Sequence, residues 1–435
     1  MIRTRAGACG LLMAAAAAAP AARAQETAVT PAGTVGTPIA APAPRDTLTG
    51  DWGGLRTDLK DAGIGVRADY VSESFAALDG GARQGTSYVQ QIRGGIDFDM
   101  GTLVGWSGAI LHVTLNDRRG IGLSSDFTGN RLPIQEAAGG EYAKLTELSY
   151  EQTLAHGRLD LRLGFFAMGN DLGGMALGCT FVNAAFCAHP LSDSGNSGWY
   201  NYPNVRWGAA VRYRLRSDLA LRAGVYQVNP NLSTERNAFK PFAGGTTGVL
   251  LPLELEYDPG LAPRARALPG HYKLGFYYDT SRAARKGAAG TLRGRYGVYI
   301  LADQTIWRDG RAGRGVAIFG QFTANPSNSA QITRWYAGGF VKTGTFAGRD
   351  ADTIALGFAY AQVNPRLRFA EAALVAGGYA ALPAGETALE LSYALQLRRW
   401  FSVRPDVQYI LDPGAFAYRA TGNALALGSQ IKVQF

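Results

Sequence analysis

Apolar and polar residues alternate along nearly the whole chain after Val66. In the segment GRLDLRLGFFAM at 157–168, leucine or phenylalanine occupies every second position, and arginine or aspartate fills several of the positions between. Successive side chains of a β-strand point to opposite faces, so such a segment has one apolar face and one charged face. The alternation therefore predicts strands that lie between two different surroundings.

About sixteen segments share this alternation, and most are about ten to thirteen residues long. That length suits tilted strands that cross a bilayer, which need about nine to eleven residues, whereas strands of soluble domains average about five or six. The predicted strands are 66–76, 88–102, 105–116, 143–153, 157–168, 204–215, 218–229, 248–258, 270–280, 295–307, 314–325, 332–344, 352–363, 385–397, 400–411 and 424–435.

The connections between these segments are alternately short and long. Short turns such as 154–156 and 216–217 alternate with long connections such as 169–203. Short periplasmic turns and long extracellular loops are typical of porins. The long connection Pro259–Pro269 falls where a short turn is expected, which indicates one irregular turn or one miscounted strand. The sequence thus predicts an all-β fold, a porin-type antiparallel transmembrane β-barrel of about sixteen strands.

The N-terminus predicts export from the cytoplasm, and together with the predicted barrel it indicates a Gram-negative outer membrane. Arginines, a short apolar run and the sequence Ala22-Arg23-Ala24 form the pattern of a secretory signal peptide over residues 1–24. The proline- and alanine-rich stretch 25–47 predicts a disordered periplasmic linker. Leucines at helical spacing predict a short helical segment within 48–65, ahead of a barrel at 66–435.

A barrel of this size predicts an aqueous channel. Hydrocarbon offers no hydrogen-bond partners, so the apolar faces meet lipid and the charged faces line the lumen. About sixteen strands enclose an interior too wide for side chains to fill. The predicted pore-lining and substrate-contacting residues are Arg93, Asp97, Glu147, Glu151, Arg158, Arg162, Arg206, Arg212, Arg222, Tyr226, Asp303, Glu386 and Glu390. Guanidinium groups and carboxylates match vicinal hydroxyls, although any one of these residues could instead be a solvated wall charge or part of an internal salt bridge.

The loop 169–203 is long enough to have a function of its own. Cys179 and Cys187, in an oxidising compartment, predict a disulfide that closes a small loop. The aromatic residues Trp199, Tyr200 and Tyr202 could narrow the mouth and offer flat faces to sugar rings, or the loop could be an external lid. His189 is the one histidine near the cysteines, so neither a metal site nor a cofactor is expected.

Composition excludes several other classes. Removal of the signal peptide, which contains three arginines, lowers the net charge from +9 to +6. The remaining arginines are scattered singly, whereas a nucleic-acid-binding protein has them clustered. Four histidines and no G-x-S-x-G element argue against an enzyme. About forty residues precede the first strand, too few for the plug of an active transporter of about 22 strands.

Several motifs resemble one family. GDWGGLRTDL at 50–59, AGVYQVNP at 223–230, YILADQTIWR at 299–308, ETALELSY at 386–393 and RPDVQYILDPG at 404–414 are similar to motifs of the OprB family of carbohydrate-selective porins, in the same order. The resemblance implies a sixteen-stranded barrel, passive diffusion of glucose-like mono- and small oligosaccharides, and a constriction lined by arginines and acids. A general or anion- or phosphate-preferring porin remains the alternative.

The expected partners follow from this assignment. They are small sugars, outer-membrane lipid and lipopolysaccharide, and the barrel assembly machinery, which generally reads a terminal strand that ends in an aromatic residue such as Phe435. Nucleic acid is not expected, and the oligomeric state is either a monomer or a homotrimer.

Overall fold

The chain forms a closed sixteen-stranded β-barrel. A computed structural model describes residues 43–187, 189–260, 267–310, 313–374, 377–378 and 381–435. The strands are β1 (Ile64–Asp79), β2 (Gly85–Asp99), β3 (Ala109–Ile121), β4 (Ala143–Leu154), β5 (Leu159–Phe166), β6 (Arg206–Arg216), β7 (Leu219–Val228), β8 (Gly248–Tyr257), β9 (Gly270–Ala284), β10 (Thr291–Arg308), β11 (Gly315–Ala324), β12 (Ile332–Thr343), β13 (Thr353–Val363), β14 (Gly385–Arg398), β15 (Phe401–Leu411) and β16 (Ala424–Gln434).

Every strand pairs antiparallel with its neighbours in the chain, and β1 pairs with β16 to close the sheet. Tyr70 lies opposite Val433 in that closing pair, and Tyr70 also lies opposite Ile92 of β2. Closure leaves no free sheet edge, which a structure surrounded by lipid requires. The predicted fold class is confirmed, and each of the sixteen predicted strands coincides with an observed one to within a few residues.

The two faces of the sheet differ as the alternation predicts. In β8, Leu251, Leu253 and Leu255 are exposed on the outside, whereas Leu250 and Glu254 point inwards and are buried. Close packing on the inner wall depends on glycine. The ring of Tyr226 lies across Gly208 and Gly224, where an added Cβ would stand 2.4 Å from a ring carbon in each case.

Four short α-helices lie within the described residues: α1 (Leu55–Asp61), α2 (Met100–Val104), α3 (Leu191–Asn196) and α4 (Pro365–Ala372). The helix predicted within 48–65 is α1, and the first strand begins at Ile64. Residues 100–102, predicted as the end of a strand, belong to α2, because Asp99 caps this turn by accepting hydrogen bonds from the amides of Gly101 and Thr102. Among the described residues no helix is both long and apolar enough to cross a membrane.

Single turns of 3₁₀-helix, and one of π-helix, lie mainly in the connections between strands. They are Pro44–Asp46, Trp52–Gly54, Ala155–Gly157, Met168–Asn170, Ala176–Thr180, Pro230–Ser233, Glu235–Asn237 and Ala415–Ala417, with a π-helical turn at Ser124–Thr128. The signal peptide predicted at 1–24, and the linker from 25 to 42, lie outside the described residues.

The connections at the two ends of the barrel differ in length. The chain termini lie at the end that carries the turns 155–158, 217–218 and 399–400, and the opposite end carries long loops. The barrel has sixteen strands as predicted, so the long connection 258–269 does not reflect a miscounted strand; its residues 261–266 lie outside the described residues. Three of the long loops are named L2 (122–142), L3 (167–205) and L4 (229–247).

Candidate functional site

L3 lies inside the barrel rather than over its mouth. Its tip contains a disulfide between Cys179 and Cys187. Beside this bond, the amides of Val182 and Asn183 donate hydrogen bonds of 2.7 and 2.8 Å to the carboxylate of Glu390 on β14. Of the two alternatives for this loop, the structure supports the one that narrows the lumen.

Buried carboxylates on other strands hold the rest of L3. Glu254 on β8 accepts a 2.7 Å hydrogen bond from the amide of Gly173, and Asp279 on β9 accepts one of 2.6 Å from the amide of Gly198. Lys273 donates a 2.8 Å hydrogen bond to the carbonyl of Gly174. Because these contacts reach the wall on several strands, L3 is fixed along its length.

L2 also enters the lumen. The amides of Arg131 and Leu132 donate hydrogen bonds of 2.7 to 2.9 Å to Glu386 on β14. Glu73 on β1 accepts a 3.1 Å hydrogen bond from the amide of Ala137. Glu386 and Glu390, predicted to line the pore, do project from the lumen face, but L2 and L3 cover them and use them as anchors.

Below L3, towards the end with the short turns, the lumen holds a cavity of about 300 Å³. We call it the compensated cavity, because acidic and basic side chains on its wall are paired with one another. Its polar lining comes from β4 to β7 and from L3, and comprises Glu151, Gln152, Thr153, Asp160, Arg162, Asp171, Arg212 and Arg222.

Arg162 is the most heavily paired of these residues. Its guanidinium group contacts Glu151 at 3.3 Å and Asp171 at 3.2 Å, and it donates a short hydrogen bond to Glu147. Burial raises the pKa of Asp171, and the nearby Arg162 opposes that rise. Four charged groups from two strands and L3 therefore form one network.

A second network lies on the adjoining wall. Glu256 on β8 contacts Arg212 at 2.9 Å and Arg222 at 2.8 Å. Arg222 also donates a hydrogen bond to the carbonyl of Asp171 on L3. The pairs place donors and acceptors side by side, and they leave little net charge on this part of the wall.

The remaining predicted residues have separate environments. Arg93 pairs with Asp69 at 2.7 Å, and Asp97 pairs with Arg67 at 2.9 Å. Asp303 hydrogen-bonds to His271 at 2.8 Å, far along the sheet on β10. Tyr226 is buried and packs its ring edge-on against Phe166.

Arg158 requires a correction. The alternation placed it on the lumen wall of the fifth strand, but it lies in the turn 155–158 and is exposed there. The strand begins one residue later, because Ala155 and His156 adopt left-handed backbone angles that form the turn. Arg158 is thus outside the two networks.

On the other side of L3 the wall carries cations without matching acids. Arg118 on β3, Lys144 on β4 and Arg206 on β6 are each at least nine-tenths buried. Among the residues that the structure describes, none of the three has a carboxylate oxygen within the 4.0 Å of a salt bridge. We call these three residues the uncompensated cluster.

Neutral groups hold these cations in place. Arg118 donates a 2.9 Å hydrogen bond to Gln91 and one of 3.2 Å to the carbonyl of Ala138 on L2. Lys144 donates a 3.1 Å hydrogen bond to Asn204 on L3. These partners fix positions, but they do not neutralise charge.

Tyrosines from the end of L3 pack between the cations. The guanidinium carbon of Arg206 lies 3.5 Å from the ring centre of Tyr200, and that of Arg118 lies 5.8 Å from the ring centre of Tyr202. Burial raises the pKa of Tyr202 to about 12, so its hydroxyl stays protonated. Tyr200 and Tyr202 were predicted near the mouth of the pore, and both are half-buried there.

One acid on L2 lies within electrostatic range of the cluster. Burial raises the pKa of Glu136 to about 8, and Lys432, Arg118 and Arg404 oppose the rise. Near neutral pH this carboxyl is therefore largely protonated. The sequence analysis did not include Arg118 or Lys144 in the predicted site. The alternation in 143–153 places Lys144 on the lumen face, and the alternation in 105–116 would place Arg118 there if it were extended by two residues.

A closed barrel with a polar lumen and two loops folded into it defines the class of protein. It is a porin, with exposed apolar side chains outside and paired charges inside. Among the described residues, no group of histidine, cysteine and acidic side chains is arranged to hold a metal ion.

Comparison with known proteins gives the family. The family model described as "Carbohydrate-selective porin, OprB family" matches residues 83–435. Porin B of Pseudomonas aeruginosa is 32% identical over 419 residues, which cover 89% of this chain and 91% of that protein. The putative porin QuiX of Acinetobacter baylyi is 28% identical over 424 residues, 90% of this chain and 93% of that protein.

The fold agrees with a solved structure of the family. The high-pH structure of Pseudomonas putida OprB covers 91% of this chain and 100% of its own, with a TM-score of 0.84 and 29% identity. The chain therefore belongs to the OprB family of carbohydrate-selective porins. It is a carbohydrate porin of the Gram-negative outer membrane, with short periplasmic turns and long extracellular loops.

Proposed function

We propose that sugars contact this porin in the compensated cavity as they pass below L3. The observation that supports this is the set of paired groups beside a space of about 300 Å³, in which Arg162, Arg212 and Arg222 each contact at least one carboxylate. Pores select solutes through such lining groups at close range. Glu147 and Glu151 are the acidic members on β4, and Glu151 is the more exposed.

The pairing suits neutral polyols. A sugar hydroxyl is both a donor and an acceptor, so it can hydrogen-bond to a guanidinium group and to a carboxylate on the same wall. Because the charges are already paired, a neutral solute does not have to displace a bound counter-ion. Mono- and small oligosaccharides such as glucose are the solutes of this size and chemistry.

Liposome swelling with graded sugars tests this proposal. Arg212→Gln and Glu151→Gln each remove one charge from the cavity at residues that remain partly exposed. We expect each variant to lower glucose entry severalfold relative to a non-sugar solute of equal mass. Arg216→Gln is the matched control, because Arg216 is exposed at the turn after β6 and pairs there with Asp218.

Two outcomes would contradict the proposal. Equal entry of all solutes of one mass into wild-type liposomes would indicate a general porin without selectivity for sugars. Unchanged glucose entry in both cavity variants, with wild-type conductance, would place the sugar contact elsewhere in the lumen.

We further infer that the chain acts as a channel without catalytic activity. The family is a porin family, and His112 and His271 are paired with carboxylates inside the barrel. Purified protein that conducts ions in planar bilayers is expected to show no esterase or lipase activity. Hydrolysis that tracks the protein through purification would contradict this.

The remaining partners are proposals of the same kind. Phe435 follows β16, and its amide donates a 2.9 Å hydrogen bond to the carbonyl of Ala68 on β1. We propose that the barrel assembly machinery reads this terminal aromatic strand, and that the exposed apolar face contacts lipid and lipopolysaccharide. Phe435→Ala should reduce the amount of folded protein in the outer membrane, and cross-linking in native membranes would distinguish a monomer from a homotrimer.

A further inference from the structure

The uncompensated cluster presents buried positive charge that has no carboxylate within salt-bridge distance in the described part of the chain. Placing an isolated charge away from bulk water is costly unless it is paired or hydrogen-bonded. Arg118, Lys144 and Arg206 are at least nine-tenths buried, and neutral groups hold all three. Such an arrangement leaves a surplus of positive charge for an anion.

Unused donors point to the same conclusion. Nη2 of Arg118 and Nε of Arg206 are buried and have no hydrogen-bond partner within the described part of the chain. Arg118 and Arg206 both lie within electrostatic range of Lys144. A single small anion could therefore interact with more than one of these groups.

Aromatic and amide groups accompany the cations. Tyr200 and Tyr202 offer ring faces, and Asn116 donates a 2.6 Å hydrogen bond to the hydroxyl of Tyr202. Flat rings pack against the apolar faces of sugar rings, and hydroxyl and amide groups bond to sugar hydroxyls. The combination matches a solute that has both a carboxylate and a polyol body.

Glu73 on β1 and Glu136 on L2 lie within electrostatic range of Arg118, and neither forms a salt bridge with it among the described residues. Glu136 on L2 faces Arg118, Lys432 and Arg404, and it is largely protonated near neutral pH because burial raises its pKa to about 8. Glu141 on L2 and Glu235 on L4 are exposed on the outer side, where water screens them.

We propose that the uncompensated cluster is a binding site for the carboxylate of an anionic sugar, such as an aldonate or a uronate. The proposal rests on the sugar pathway proposed above and adds a second solute site on the extracellular side of L3. The carboxylate contacts Arg118, Lys144 and Arg206, and the polyol body lies against the tyrosines.

The test is block of single-channel current in planar bilayers by sodium glucuronate and sodium gluconate, with glucose and inorganic phosphate as comparison solutes. We expect both sugar acids to block wild-type current at lower concentration than glucose or phosphate does. In Arg118→Gln and in Arg206→Gln the half-blocking concentration of glucuronate should rise about tenfold, because each change removes a charged hydrogen-bond donor.

Two matched variants control for charge and folding. Arg119→Gln makes the same change at the next residue, which is exposed on the outer face and pairs with Asp117, and it should leave the block unchanged. Arg118→Lys keeps the charge and should retain most of the block. Heat-modifiable migration on gels verifies that every variant has formed the barrel.

The results separate this proposal from the preceding one. Equal block by phosphate and glucuronate would overturn the assignment to sugar acids, and an unchanged block in both arginine variants would overturn the site. Failure of glucose to enter liposomes, with sugar-acid block intact, would instead contradict the compensated cavity and leave the cluster standing.

Discussion

The compensated cavity and the uncompensated cluster lie on one wall of the barrel, on opposite sides of L3, yet their charged side chains are paired in opposite ways. In the cavity, each arginine has at least one carboxylate within salt-bridge distance. In the cluster, Arg118, Lys144 and Arg206 have neutral partners. L3 separates the two regions, so the wall carries cations with neutral partners on one side of L3 and paired charges on the other. The comparison shows that buried arginines of one wall differ in their pairing, and we expect the nearest acid to limit what each guanidinium group can bind.

The largest effect is expected from a change that releases L3, the loop that separates the two regions. Glu390→Ala takes away the acceptor of the Val182 and Asn183 amides, and each unsatisfied buried amide costs about 1 to 3 kcal/mol. We expect the tip of L3 to leave the wall, single-channel conductance to increase about twofold or more, and selectivity among sugars to fall. Conductance and sugar-dependent swelling measure this.

Glu371→Ala is the control for that change, since Glu371 lies in α4 on an external loop. Wild-type conductance together with wild-type sugar selectivity in Glu390→Ala would show that the remaining contacts hold L3 without this carboxylate.

Opening the disulfide at the tip of L3 should have a smaller effect. The paired change Cys179→Ser with Cys187→Ser removes a cross-link that closes a short loop, which is worth about 2 kcal/mol of local stability. Because Glu390 still holds the tip, we expect faster protease cleavage within L3 and greater current noise, with mean conductance little changed. Cleavage rates no faster than those of the wild type would contradict the prediction.

A pH titration of the current block tests how the charge of Glu136 affects the uncompensated cluster. Its pKa is raised to about 8, so the carboxyl is neutral below that pH and becomes an anion above it. Ionisation places a negative charge among Arg118, Lys432, Arg404 and Glu73, so block by glucuronate should weaken between about pH 7 and 9. Because the folded-state pKa is raised, protonation also stabilises the folded loop, and that contribution is lost as the pH rises through about 8.

Glu136→Gln keeps the group neutral at every pH and should reduce this change. A smaller change that remains is assigned to the ammonium group of Lys144, which lies buried near Arg118 and Arg206. If the variant and the wild type lose block in parallel between pH 7 and 9, another group is responsible.

The smallest effect is expected outside the lumen. Arg216 forms a 3.0 Å ion pair with Asp218 at a periplasmic turn and is largely exposed. Arg216→Gln should change stability by less than about 1 kcal/mol and leave conductance and block unchanged, because exposed pairs are screened by water. Thermal unfolding in detergent measures the change in stability. A large change in block would show that charge at the turn affects the field in the lumen.

Local patterns explain why so much of the fold could be predicted. The alternation in β8 or β16 is a property of neighbouring residues, and the lipid outside requires it on every strand. Strand ends were less accurate at 100–102 and at Arg158, because capping by Asp99 and the left-handed angles of Ala155 and His156 form turns inside an alternating stretch.

The site could be predicted only in part. The phase of each strand correctly gave the direction of Glu386 and Glu390, but it could not show that loops cover them. The amide of Val182 and the carboxylate of Glu390 are separated by 208 positions in the chain, so their contact depends on how L3 folds back. For the same reason Arg118 and Lys144 could not be distinguished from the paired charges of the wall.

The sequence by itself determined a barrel of sixteen strands, the face that each strand turns to lipid, and the charged character of the lumen. It could do so because these follow from periodicity and from the need of every backbone group for a partner within the sheet. Only the tertiary structure decided which charges are paired, because side chains from β3 and β4 contact L2 and L3 across large separations in the chain. The division of the lumen into a compensated cavity and an uncompensated cluster is a product of those long-range contacts.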